Sequence, residues 1–129
     1  MDKVTHFHIP VENMERAMKF YKSIFGWEIE ETVAGMDYQL ATTVAVDEKG
    51  MPEEPGAING ALYLRESPEE CQSIVISVPS IDEYLKKIEK AGGKVVGHKS
   101  PVEDFGFYAR VADTEGNVIG LWEDVKKSE

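Results

Sequence analysis

His6 and His8 stand two residues apart in the stretch VTHFHIPV at 4 to 11. In an extended chain that spacing puts both imidazoles on one face, about 6.6 Å apart at Cα, so they can converge on one ion or one substrate. Imidazole changes charge near neutral pH and ligates divalent metals, which makes acid–base or metal chemistry the functional reading of the pair. The plainer reading is two polar residues lining solvated surface. His98, the third histidine, lies in the Lys- and Pro-containing HKSPVEDFG at 98 to 106 and reads as a surface residue. Cys71 is the only cysteine, which excludes an intrachain disulfide and any Cys-rich zinc or iron–sulfur site. No basic residue adjoins it to lower its pKa, so it does not read as a nucleophile. Asp113, Glu115 and Asn117 in DTEGN lack the twelve-residue ladder of a calcium loop and read as a hairpin turn.

These residues need elements to hold them. The alternation at 4 to 11 places Phe7, Ile9 and Val11 on one strand face and Val4, His6, His8 and Pro10 on the other. Asn13 is suited to cap a helix, and Met14, Ala17, Met18, Tyr21 and Phe25 then recur at helical spacing until Gly26. Phe20, Tyr21 and Phe25 are expected in a helix–sheet core. Trp27 to Thr32 and Tyr38 to Val46 read as a hairpin turning at Ala34-Gly35, 47 to 56 as a Pro- and Gly-containing loop, and Ala57 to Leu64 as a strand. The second half repeats this order. Ser73 to Val78 reads as a strand, and Ser80 with Glu83 forms a capping box for a helix whose stripe is Ile81, Tyr84, Leu85 and Ile88. Gly92-Gly93 stops it. A short strand from Lys94 to Gly97, a loop at 98 to 106 and strands at Phe107 to Ala112 and Val118 to Glu123 complete the chain.

One half lies on the other without gaps at an offset of 67, Phe7 on Ile74, Val11 on Val78 and Gly26 on Gly93. The fold class expected is therefore α+β, with two βαβββ modules, about 3 to 65 and 71 to 125, making a single domain over 1 to 129. Two curved sheets would share a central cleft, with the loops at 47 to 57 and 98 to 106 as lids. Gly60 and Gly120 read as equivalent positions inside the last strand of each module, either to make room for a ligand or because backbones approach closely there. Trp122 shares the parity of Gly120 and Val118 and so faces away from the helix, able to stack on a planar ligand or to fill the core. Tyr38, Phe107, Tyr108 and Arg110 lie near the expected cleft mouth with their parity open.

Composition narrows the partners. Acidic residues outnumber basic ones by 24 to 14, a net charge of −10, which disfavours nucleic acid because phosphate binding needs a basic surplus. No apolar run approaches the roughly 20 residues of a membrane span, and no leader is recognised at the N-terminus. With one cysteine, a reducing cytoplasmic compartment is expected.

THFHIPVENMERAMKFYKSIFGWEI, IVISVPSIDEYLKKIEKAGGKVV and RVADTEGNVIGLWE together resemble the vicinal oxygen chelate superfamily, which includes glyoxalase I, bleomycin-resistance proteins and extradiol dioxygenases. The resemblance covers nearly the whole chain and implies paired βαβββ modules, commonly in a homodimer. It also implies a divalent metal held by one first-strand and one last-strand residue of each module. Those positions fall on His6, which matches, and on Gly60, Ser73 and Gly120, where the metal enzymes of the family have Glu, His and Glu. One imidazole and two glycines cannot hold zinc, nickel, manganese or iron at ordinary levels. No cofactor is therefore expected, and any metal would fall to His6 and His8. The expectation is a glyoxalase-like protein that binds a small organic ligand through His6, His8, Gly60, Ser73, Gly120 and Trp122. The alternative is an enzyme, a lyase or isomerase of the lactoylglutathione-lyase kind or a dioxygenase relative, with His6 catalytic, either with a divalent metal held through His6 and His8 or without metal and with His6 as general base.

Overall fold

The alternation at the start of the chain forms the strand it predicts, Lys3–Val11 (β1), in a computed structural model that describes residues 1–29 and 37–125. The chain divides into two units, His6–Gln72 and Ser73–Glu129, the second also including Met1–Thr5.

In the N-terminal unit, helix α1 (Met14–Phe25) begins where the Asn13 side chain accepts the Arg16 N–H at 2.9 Å. It ends at Gly26, whose φ of 72° is the left-handed value that glycine adopts at least cost. Strands β2 (Glu28–Ile29), β3 (Tyr38–Thr42) and β4 (Asn59–Leu64) follow, in the order β2-β3-β4-β1. β1 and β4 run parallel and the other neighbours antiparallel. Helix and sheet enclose Val11, Met14, Met18, Ile29, Ala41 and Leu62. Each large aliphatic side chain buried there contributes on the order of 2 kcal/mol. Phe20 and Phe25 depart from the core expected of them, at 53% and 59% exposed. Helical spacing carries them past the buried stripe to its rim, and only Tyr21 of the three turns inward, stacked on Trp27 at 4.7 Å between ring centres. The first hairpin is shorter than expected, because β3 stops at Thr42 and Asn59 then holds the turn. Its carboxamide oxygen accepts from the backbone N–H groups of Thr43 and Val44 at 2.7 and 2.9 Å, and its amide donates to the Val44 carbonyl. The expected turn at Ala34-Gly35 lies outside the described residues.

The C-terminal unit repeats the layout: β5 (Ser73–Ser77), α2 (Ile81–Lys90), β6 (Lys94–Val102), β7 (Gly106–Ala112) and β8 (Val118–Asp124). Its order is β5-β8-β7-β6, again with first and last strands parallel. Its core is Val78, Ile81, Ala109, Val111 and Leu121. The Ser80 hydroxyl accepts the Glu83 N–H at 3.3 Å, and the Glu123 carboxylate accepts the Ile81 N–H at 2.7 Å, so a residue of the last strand helps cap this helix. Residues 98 to 102, expected as loop, instead extend β6. Pro101 fits because β6 is the outermost strand of its sheet, where a missing N–H breaks no inner ladder. Met1–Thr5 tie into this unit through the Thr5 and Ser77 hydroxyls, 2.9 Å apart, and through the Tyr84 phenol, which donates to Asp2 at 2.6 Å. The chain is thus an α+β fold of two βαβββ modules. No helix among the described residues is long and apolar enough to cross a membrane.

Candidate functional site

In each unit the strands have one face on their helix, and the chemistry collects on the other. In the N-terminal unit Phe7, Ile9 and Val11 pair with Gly60, Leu62 and Leu64 on the helix side, so His6, His8 and Pro10 pair with Asn59, Ala61 and Tyr63 on the opposite side. Tyr38, in register with Tyr63, joins them. The His6 and His8 rings meet edge to face at 5.9 Å between centres, and His8 lies 5.8 Å from the Tyr63 ring and 6.0 Å from that of Tyr38. Both imidazoles are half-buried. Tyr63 was not singled out in the sequence. Its position opposite Pro10 is the signal, visible only once the β1–β4 register is known.

Gly60 does not join this face. A Cβ placed there would collide with the Phe7 ring and the Phe7 carbonyl, so the glycine exists to seat an aromatic ring against the parallel strand. Close packing therefore accounts for it, and ligand space does not. Nor is Gly60 the counterpart of Gly120. Ile9 and Ile76, 67 apart, pair with Leu62 and Leu121, 59 apart, so Gly120 matches Ala61 and Gly60 matches Ile119. The β4 residues that face with His6 are Asn59, Ala61 and Tyr63. Glu28, the carboxylate on that side of β2, is three strands from β1, about 14 Å away. Among the described residues no three His, Cys, Asp or Glu side chains gather as a metal group.

In the C-terminal unit Ile119 and Leu121 pack on α2, and Ser73, Val75, Val118, Gly120 and Trp122 take the opposite face, as the alternation predicts for Trp122. Tyr108 and Arg110 share that face, opposite Trp122 and Gly120. The space a Gly120 Cβ would occupy is filled by the Tyr108 ring, with its hydroxyl 2.8 Å away. Burial pushes the Tyr108 phenol above its ordinary 10.0, offset in part by the nearby Arg110 guanidinium. Trp122 lies over Gly106, within 2.6 Å of where a Cβ would stand, and its indole N–H donates to Asp124 at 2.7 Å. Ser73 is half-buried at the start of β5. Phe107, by contrast, turns to the helix side, under the Lys99 ammonium at 4.5 Å.

Several residues fall outside both faces. His98 and Cys71 are exposed. In DTEGN the Asp113 carboxylate accepts from the backbone N–H groups of Glu115 and Asn117 at 2.8 and 2.9 Å, closing the β7–β8 hairpin. Those bonds hold the carboxyl below its ordinary value of 3.8. At the end of β4, Glu12, Arg65, Glu66, Ser67 and Pro68 line a shallow open hollow, where Arg65 reaches Glu12 at 3.4 Å.

Similarities to known proteins agree with this layout. A Glyoxylase-like domain-containing protein of Didymella fabae is 28% identical over 124 residues, 92% of this chain and 91% of that protein. A hypothetical protein of Bacillus halodurans C-125 superposes with a TM-score of 0.66 at 18% identity, covering 99% of this chain and 98% of that one. Methylmalonyl-CoA epimerase of Streptomyces coelicolor, solved with 2-nitronate-propionyl-CoA, superposes at 0.64 with 12% identity, covering 96% and 98%. Residues 3–121 match the family described as Glyoxalase/Bleomycin resistance protein/Dioxygenase superfamily, and the chain belongs to that superfamily.

Proposed function

We propose that the protein binds a small, partly apolar organic ligand on the helix-free face of its N-terminal unit and leaves it chemically unchanged. The observation that carries this reading is the gathering of four rings, His6, His8, Tyr38 and Tyr63, around half-buried imidazoles. Rings at such spacing offer stacking surface, and the imidazoles offer a donor or an acceptor that fixes a polar substituent. The proposed binding takes no step through a metal, and among the described residues no three His, Cys, Asp or Glu side chains gather as a metal group.

A titration with phenol and 2-naphthol, following the ring signals of His6 and His8 by NMR and recovering the probe for mass spectrometry, tests this. Saturable shifts that weaken in His8→Ala, with probe of unchanged mass, support binding. The absence of any saturable shift at these rings overturns it.

A second reading is an isomerase or lyase with His6 as general base, favoured by the half-burial of that ring and by the fold shared with an epimerase. It predicts a product whose formation stops in His6→Ala while thermal stability stays nearly unchanged. Metal analysis of untagged protein separates its two forms, since a stoichiometric ion lost on changing His6 or His8 would assign the pair to ligation. We further propose a homodimer in a reducing, cytoplasmic compartment. The free exposed thiol of Cys71 and the exposed Phe20, Ile24 and Phe25 of α1 support it, and light scattering tests the oligomer.

A further inference from the structure

Arg110 occupies an unusual place for a cation in this chain. It stands in the middle strand of three, and its register partners are glycines on both sides, Gly97 in β6 and Gly120 in β8. No side chain flanks it in its own row. A Cβ at Gly97 would touch the Arg110 side-chain stem at 3.6 Å. The residue is half-buried, yet among the described residues its guanidinium makes no hydrogen bond or ion pair. That is notable in a protein with 24 acidic residues. The carboxylates nearest it in sequence and at the end of β8 are already engaged. Asp113 closes its hairpin, Asp124 takes the Trp122 indole N–H, and Glu123 lies on the other face, bonded to Ile81 and 3.7 Å from Lys99. Arg65 provides the contrast, since Glu12 meets it and Glu66 also lines its hollow.

A guanidinium carries five N–H donors in a planar fork that matches a carboxylate or phosphate, and partial burial strengthens such a bond. The Tyr108 hydroxyl supplies another polar group on the same face, at the glycine that is Arg110's own strand partner.

We propose that Arg110, with the Tyr108 hydroxyl beside it, is an oxyanion-binding group that takes the carboxylate or phosphate of a small organic ligand. The proposal stands on the C-terminal unit alone and does not require the histidine face to bind anything.

The test is an NMR titration at low ionic strength with benzoate, phenyl phosphate and neutral benzamide, read at the Arg110 Nε–H. At least one anion shifts that signal saturably, and benzamide binds about tenfold more weakly or worse. Stronger binding of benzoate assigns a carboxylate, and stronger binding of phenyl phosphate assigns a phosphate. Arg110→Gln, followed at the Tyr108 ring, loses about tenfold or more in affinity for the preferred anion and none for benzamide, while Arg110→Lys, which keeps charge but not the fork, falls between. Equal binding of benzamide and both anions, failure of both anions to saturate, or an Arg110→Gln variant that binds anion like the wild type would each overturn the proposal. If Arg110→Gln does not fold, the comparison of anion with benzamide on the wild type decides alone.

Discussion

The strands of the two units carry aromatic side chains at matching places and differ in what stands beside them. Aligned through their registers, Tyr38 matches Tyr108 and Tyr63 matches Trp122. The first-strand imidazoles His6 and His8, however, match Ser73 and Val75 at the 67-residue offset, and Arg110 matches Leu40. One face therefore holds two imidazoles and the other a guanidinium cation, on the same scaffold. The layout fixes where side chains stand, and the residue filling each place decides the chemistry.

Changes at the two mismatched glycines test that comparison most strongly. Gly60→Ala should cost about 3 kcal/mol in urea unfolding, because backbone as well as ring blocks the new methyl group. Gly120→Ala should cost about 1 kcal/mol, since the contact is with the far end of a tyrosine that can swing aside. Equal costs would mean that the two positions are equivalent after all. The helix starts come next. Glu123→Ala should lower stability by about 1 to 2 kcal/mol and fray α2, against about 1 kcal/mol for Asn13→Ala at α1, read by the same unfolding curves and by amide exchange.

A smaller difference separates two phenols with raised pKa. Tyr108 is shifted by burial and Tyr84 chiefly by its hydrogen bond to the Asp2 carboxylate, so Asp2→Asn should return Tyr84 toward 10.0 and leave Tyr108 unmoved in an ultraviolet titration. Because the fold raises both values, their contribution to stability is present below 10.0 and is lost as pH rises through the raised pKa. The smallest effect is at Asp113, whose depressed pKa stabilises the fold above its ordinary 3.8. The stability difference between wild type and Asp113→Asn should stay constant at neutral pH and shrink as pH falls through the depressed value.

Much of this architecture is legible in the text of the chain. Caps at Asn13 and Ser80, the stop at Gly26 and the period-two pattern before His8 each have a local cause, and each element formed where that cause lies. The face of Gly60 was not legible, because NGALYL is apolar on both sides and lacks the polar alternation that marks a surface. The repeat misled there too, since the connections of the second module are eight residues shorter before its last strand. Pro101 hid the length of β6, as only its position at the sheet edge makes proline tolerable. The parity of Arg110 needed its register with Gly120, whereas that of Trp122 followed from simple alternation within β8.

The membership of Met1–Thr5 in the later unit has a consequence for synthesis on the ribosome. These residues leave the exit tunnel nearly seventy positions ahead of Ser73, so at ordinary elongation rates they wait on the order of several seconds for the strand and helix that hold them. Residues His6–Gln72 can begin folding during that interval while the preceding stretch is still unengaged. A nascent chain stalled shortly after Gln72 should therefore present Val4 and its neighbours as an open strand end, available to protease or chaperone, until Ser77 and Tyr84 emerge to engage it.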